Sequence, residues 1–193
     1  MKFHKSSAEI FVPDGLETAA ALSRTTHLAI GAHQDDLEIM AFEGIAACHG
    51  RRDRWFTGVT CTDGANSARA GVYADYSDTE MARVRHVEQR TAACAGGYAA
   101  VVQLDYTSGE AKNPANAELV ADLRRLLEAT RPETVYIHNL ADKHPTHVGI
   151  AAAALKAIRS LPPAARPKRL LGCEVWRGLD WMMDDEKVVS DVT

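Results

Sequence analysis

The stretch Thr26–Ala32 (THLAIGA) runs directly into His33-Gln34-Asp35-Asp36-Leu37-Glu38. A short apolar run rich in branched side chains reads as a buried strand. The paired aspartates that follow suit the first turn of a helix, which the pattern carries from about Asp36 to Cys48 and Gly50 ends. Working outward, Trp55–Cys61 (WFTGVTC) reads as a second strand. Ser77-x-x-Glu80 forms a capping box, opening a helix that stops at Gly96-Gly97. A strand near Ala100–Asp105, a helix near Ala115–Thr130 closed by Pro132, and a strand over Thr134–His138 come next. An alanine-rich helix from about His147 to Ser160 follows, with further strands expected at Leu170–Trp176 and Val188–Val192. Strands and helices alternating at this spacing predict an α/β fold, a Rossmann-like three-layer α/β/α arrangement around a mostly parallel sheet. No repeat, low-complexity tract or linker divides the chain, so residues 1–193 are expected to form a single domain.

Sheets of this kind bind ligands in the crevice beyond the carboxyl ends of their strands. The residues just past each expected strand are His33-Gln34-Asp35-Asp36, then Thr62-Asp63-Gly64, then Asp105-Tyr106, and last His138 through His147. Ionisable side chains therefore gather on the edge where the topology puts a site. The segment Thr62–Tyr76, rich in Gly, Ala, Ser and Asp, is long for a compact domain and is expected to be a functional loop.

Bulk composition narrows the function. The 193 residues carry 22 basic and 26 acidic side chains, a net charge of −4, which argues against a dedicated duplex-DNA binder. At 46% apolar and 25% charged residues the chain has the composition of a globular protein. Four cysteines, Cys48, Cys61, Cys94 and Cys173, show no C-x-x-C pair and read as reduced thiols. The N-terminal stretch has no signal-like apolar run, and nothing approaches the roughly 20 apolar residues of a membrane span. A cytoplasmic protein without nucleic-acid or membrane partners is the expectation. Eight histidines are the feature of composition that calls for an explanation.

Three of those histidines fall in the ten residues His138-Asn-Leu-Ala-Asp142-Lys-His144-Pro-Thr-His147. Two histidines and one aspartate make a three-ligand site with an open fourth position, as a catalytic zinc requires. A carboxylate beside such a site serves as general base, and a nearby imidazole stabilises an oxyanion or protonates a leaving group. Each cluster also has an ordinary explanation: Asp35-Asp36 suits a helix start, and an isolated histidine is commonly a hydrogen-bonded polar residue. Two His/Asp clusters after separate strands on one edge favour the metal site. A metal-dependent phosphoesterase is a competing reading, although it would want two metals and more bridging carboxylates. A metal- or sugar-binding protein with little turnover is another.

At these residues the chain resembles the PIG-L/LmbE-like N-deacetylases, zinc enzymes acting on N-acetylglucosamine-type substrates. The family's Ala-His-Pro-Asp-Asp motif stands here as Ala32-His33-Gln34-Asp35-Asp36, and its His-x-Asp-His motif as His144-Pro145-Thr146-His147. The resemblance spans about Thr26 to Trp176, taking in Arg85-x-x-Glu88 and Arg131-Pro132. It implies His33, Asp36 and His147 as ligands of Zn2+ or another divalent metal, Asp35 as general base and His144 as the histidine assisting the tetrahedral intermediate. The small-molecule substrate would be an amide or amino sugar. Three departures stand out: Gln34 replaces proline, Thr146 replaces an acidic residue, and Met40-Ala41-Phe42-Glu43 replaces a glycine-rich stretch. Either Asp142 substitutes for the carboxylate missing at Thr146, or activity is weak. Asp63 and Arg69 are candidate substrate-binding residues, each with a solvated-loop alternative, and Trp176-Arg177 a candidate stacking wall. Relatives usually continue past a segment like Glu186–Thr193, so the chain looks short for the family and a homo-oligomer is a further expectation.

Overall fold

The computed structural model describes residues 1–192. Its sheet has six strands: β1 (Glu9–Phe11), β2 (His27–Gly31), β3 (Phe56–Thr62), β4 (Ala100–Tyr106), β5 (Thr134–His138) and β6 (Arg169–Cys173). Their order is β1-β4-β3-β2-β5-β6, with β1 antiparallel to β4 and every other pairing parallel. The chain thus builds from β2 through β3 to β4 in one direction, then returns to the other side of β2 to add β5 and β6. The reversal lies between β2 and β5, and the crevice outside such a reversal is where α/β sheets hold ligands.

Helices cover both faces. Successive strand residues point to opposite sides, so Leu28 and Ile30 of β2 and Val135 and Ile137 of β5 join one core, while Ala29 and Tyr136 join the other. The first core is completed by α5 (Ser108–Lys112), α6 (Ala117–Thr130) and α7 (Pro145–Ser160), through Ala111, Leu119, Leu123, Ile150 and Ala154. The second is completed by α2 (Asp36–Met40), α3 (Phe42–Cys48) and α4 (Asp78–Gly96), through Leu37, Ile45 and Ala93. All central strands are buried on both faces, which explains their near-continuous apolar runs.

The expected alternation holds, with differences. The helix expected over 36–48 is two helices, because Ala41 leaves helical backbone at φ −116° and ψ 22°. The break re-aims α3, whose Glu43 carboxylate accepts from the Tyr136 hydroxyl. β1 and α1 (Thr18–Ser23) lie in a region with no expected element. A three-residue strand is too short for alternation to register, and it is held by pairing Ile10 against Val102. No strand forms over 188–192, where Val188 and Val189 are 66% and 84% exposed. Their β-branched side chains favour extended backbone, but a strand needs a partner strand, and the sheet formed by the described residues does not take in this segment. The four cysteines are free thiols, Cys48 and Cys61 buried, Cys173 half-buried and Cys94 exposed.

α5 has no counterpart among the expected elements, although Thr107-x-x-Glu110 is a capping box like Ser77-x-x-Glu80, and both are formed. It packs on α7 at Gly149, where a Cβ would stand 2.4 Å from the Ala111 carbonyl oxygen. Only glycine permits that approach, and it brings α5 against the start of α7.

On the outer side of β4, His86 of α4 sits between carboxylates, its Nε2 2.6 Å from Asp105 and its Nδ1 3.5 Å from Glu9. The Asp105 hydrogen bond, and then the charges of Asp105 and Glu9, raise its pKa against burial and the nearby Arg90. A histidine with a raised folded-state pKa contributes stability that is complete below its ordinary value of about 6.5 and lost as pH rises through the raised value. The melting temperature should therefore fall across that interval, and His86→Gln should flatten this part of the profile. An unchanged profile in the variant would remove His86 as the cause.

Candidate metal centre and its cavity

The turn after β2 and the segment after β5 meet beside the topological reversal. His33 Nδ1 lies 3.5 Å from Asp36 Oδ2 and 3.3 Å from His147 Nε2, and that nitrogen lies 3.6 Å from the same Asp36 oxygen. Three ligands about 2.0–2.2 Å from one tetrahedral ion stand roughly 3.3–3.6 Å apart, so the donor set fits a metal of that kind. These three residues could hold a metal ion, as could the group His138, Asp142 and His147 behind them. The two groups share His147.

Local structure holds each donor. Asp36 Oδ2 accepts the backbone N–H groups of Ala32 at 3.0 Å and His33 at 2.7 Å, tying the helix start to the strand end. Burial alone would raise the Asp36 pKa, but hydrogen bonds with His138 and His33 outweigh it and hold the carboxyl far below the usual range. His147, in the first turn of α7, is fully buried; burial, with His138 beside it, lowers its pKa and favours the neutral ring that binds a metal. Its Nδ1 is 2.9 Å from Asp142 Oδ2. A carboxylate on the far nitrogen fixes the tautomer so that Nε2 presents its lone pair to the donor cluster. Asp142→Asn should then weaken metal affinity about 10–100-fold, measured by chelator competition, and unchanged affinity would remove this role.

Asp142 therefore supports His147, not the ring of His144. Its other oxygen accepts the His144 backbone N–H at 2.8 Å. His144 is the N-cap of α7, its Nδ1 accepting the Thr146 backbone N–H at 3.3 Å. The neutral ring consequently carries its proton on Nε2. Burial and the neighbouring His33 lower the His144 pKa. Thr146 is fully buried, and its hydroxyl has no hydrogen-bond partner among the described residues.

Asp35 occupies the N-cap position of α2 in left-handed backbone, φ 84° and ψ −24°, and its side chain makes no capping hydrogen bond. Such a conformation costs a non-glycine residue about 1–3 kcal/mol and collects at functional sites. One Arg85 nitrogen donates both to Asp35 Oδ2 at 2.8 Å and to the Gln34 carbonyl at 2.5 Å. Gln34 is buried and donates to the Thr62 carbonyl at 3.1 Å, so it anchors the turn to β3 in place of a proline. Gly64 completes the junction at φ 72°, where a Cβ would stand 2.5 Å from Gln34 Oε1.

His33, Asp35, Asp36, His144 and Thr146 all line one cavity of about 800 Å³. The 62–76 loop contributes Gly64, Asn66, Ser67, Ala68 and Tyr73 to its wall, α5 contributes Ser108 and Lys112, and α4 contributes Met81, Val84, Arg85 and Glu88. Trp176 closes another side, its ring parallel within 11° to His147 at 6.1 Å and within 20° to His144 at 6.5 Å. Asp63 and Arg69 are not part of this lining. Asp63 accepts the Ala65 backbone N–H, and burial raises its pKa. Arg69 spends its guanidinium on the carbonyls of Ala65, Ser67 and Tyr76 and on Asp78, knitting the loop together.

The sequence marks His138 only by its position. In the structure it is fully buried, stacks on His147 at 3.9 Å and 11°, and lies 3.2 Å from Asp36 Oδ2. Its place as last residue of β5, level with the end of β2, is the available signal. No helix among the described residues is long and apolar enough to cross a membrane.

A family model described as GlcNAc-PI de-N-acetylase, PIG-L, matches residues 28–158. No curated protein matches the sequence. Among solved structures, the conserved protein TT1542 from Thermus thermophilus is 20% identical with a TM-score of 0.62, over 79% of this chain and 67% of its own. The A40926 pseudoaglycone deacetylase Dbv21 is 21% identical with a TM-score of 0.60, over 83% and 68%. The N,N'-diacetylchitobiose deacetylase from Pyrococcus horikoshii is 22% identical with a TM-score of 0.55, over 70% and 49%. The chain thus spans about half the length of that enzyme. The 4-carboxy-2-hydroxymuconate hydratase GalB from Pseudomonas putida, with a TM-score of 0.54 at 20% identity, shares the fold.

Proposed function

We propose, from the premise that the chain belongs to the GlcNAc-PI de-N-acetylase family, that it is a zinc-dependent N-deacetylase. Its substrate would be an N-acetylglucosamine-type sugar or related amide. The fold is shared with a hydratase, so the reading must rest on the site rather than the architecture. The observation that carries it is the convergence of His33, Asp36 and His147 at 3.3–3.6 Å, with His33, Asp35 and Asp36 lining one cavity.

His33, Asp36 and His147 would hold the zinc. Bound there, zinc supplies Lewis acidity, lowering the pKa of a water and polarising the acyl oxygen. Asp35 takes the proton from the attacking water. Arg85 holds its Oδ2, leaving Oδ1 for this transfer. The neutral His144 ring donates from Nε2 to the oxyanion, a role that needs no imidazolium and hence no carboxylate at position 146. As the C–N bond breaks, the proton on Asp35 passes to the departing nitrogen. Trp176 offers an apolar face against which a sugar ring can lie.

The test is amine release from a panel of N-acetylated amino sugars and other amides, with metal analysis of the same preparation. About one zinc per chain and chelator-sensitive amine release are expected. About two metals with hydrolysis of an aryl phosphate would favour a phosphoesterase, and metal without turnover would favour a binding protein. A folded, zinc-supplemented protein that holds no metal overturns the reading.

A further inference from the structure

The left-handed turn at Asp35 is gripped by two side chains of α4 that lie four residues apart, and so on one face of that helix. Arg85 takes the Asp35 carboxylate and the Gln34 carbonyl. Gln89, 1% exposed, takes the backbone: its Oε1 accepts the Asp35 N–H at 3.3 Å. Its Nε2 donates to Glu38 Oε1 at 2.8 Å, and the buried Tyr98 hydroxyl donates to that same oxygen at 2.7 Å. The partners dictate the orientation of the amide. Reversed, its NH2 would face the Asp35 N–H and its oxygen would face the Glu38 carboxylate, two mismatches at once.

A closed ring results, Asp35 N–H to Gln89 to Glu38 and back along α2, with Tyr98 anchoring it in the core. The three metal donors are held otherwise, Asp36 by the Ala32 and His33 N–H groups, His147 by Asp142, and His33 through its Nδ1 contacts with Asp36 and His147. Loss of Gln89 would therefore release the Asp35 peptide while leaving the donor cluster in place. We propose that Gln89, backed by Glu38, is a positioning residue that fixes the Asp35 peptide and so aims its carboxylate into the cavity. This rests on the reading of Asp35 as the base. Displacing a reacting group by about 1 Å can cost on the order of 10²-fold in rate.

The test is Gln89→Met, which keeps the length of the side chain and removes both bonds. Expected are zinc affinity within about threefold of the parent, KM within about twofold and kcat lower by about 10²-fold. Amide hydrogen exchange at Asp35 should become faster. Glu38→Gln, which still offers an oxygen to Gln89, should stay close to the parent, while Glu38→Leu should behave like Gln89→Met. Unchanged kcat in folded Gln89→Met overturns the proposal, as does a fall in kcat matched by an equal loss of zinc affinity. Should Asp35→Asn keep full activity, the base reading fails by itself. Asp35 exchange then judges the clamp: faster exchange in Gln89→Met sustains the grip on the peptide, and unchanged exchange overturns it.

Discussion

Asp35→Asn should lower kcat by about 10²–10⁴-fold, the range general-base catalysis contributes, while zinc stays bound. The substitution is nearly isosteric, and asparagine tolerates left-handed backbone at least as well as aspartate, so the turn should survive. Arg85 loses its ionic partner at position 35 but keeps the Gln34 carbonyl and its contact with Glu88 at 2.5 Å. None of the three donors that converge at 3.3–3.6 Å is altered. What disappears is the group able to accept a proton beside them. The check is single-turnover amine release with parallel metal analysis. Full activity in the zinc-loaded variant would remove Asp35 from the chemistry, and zinc loss would make it a ligand or a support for one.

Asp36→Asn should have the larger effect on metal. Its Oδ2 accepts two backbone N–H groups and stands 3.2–3.6 Å from nitrogens of His138, His33 and His147. Within the described donor cluster it supplies the negative charge, and the amide cannot replace it. The loss of affinity should exceed the roughly 10–100-fold expected when only a supporting hydrogen bond is removed. Amine release at limiting zinc should vanish with it. Chelator competition against the parent and Asp142→Asn gives the ranking, and Asp36→Asn binding zinc as tightly as the parent would take Asp36 out of the donor set.

The alternation of apolar runs and amphipathic stretches made the layer order legible, because strands such as His27–Gly31 and Thr134–His138 are buried on both faces. Asp36 and His147 were legible for a related reason: each follows a strand end on the ligand-binding edge, Asp36 five residues past β2 and His147 nine past β5. The supports were harder to read. Gln89 and Arg85 reach the Asp35 turn from 50 or more residues away. No local pattern says which face of α4 meets it. Asp142 lies in the right segment, but only the fold decides that its carboxylate serves His147 instead of His144. Arg69 and Asp63 sit in a loop that does line the cavity, yet their side chains turn into the loop's own backbone. Loop membership alone does not tell a ligand contact from a brace.

The partition of the cavity wall has a consequence for how this chain can diversify. The proposed chemical groups come from the ends of β2 and β5, where Asp36 and His147 must keep their mutual spacing to within a few tenths of an ångström. Much of the remaining wall comes from the 62–76 loop, α5 and Trp176. An insertion between His138 and His147 should be ruinous, whereas exchanges at Asn66, Ser67, Tyr73 or Ser108 can remodel what the cavity admits. On the proposed function, reaction and recognition would be carried on separable pieces of chain, so new substrates could be explored by sequence drift without rebuilding the donor cluster.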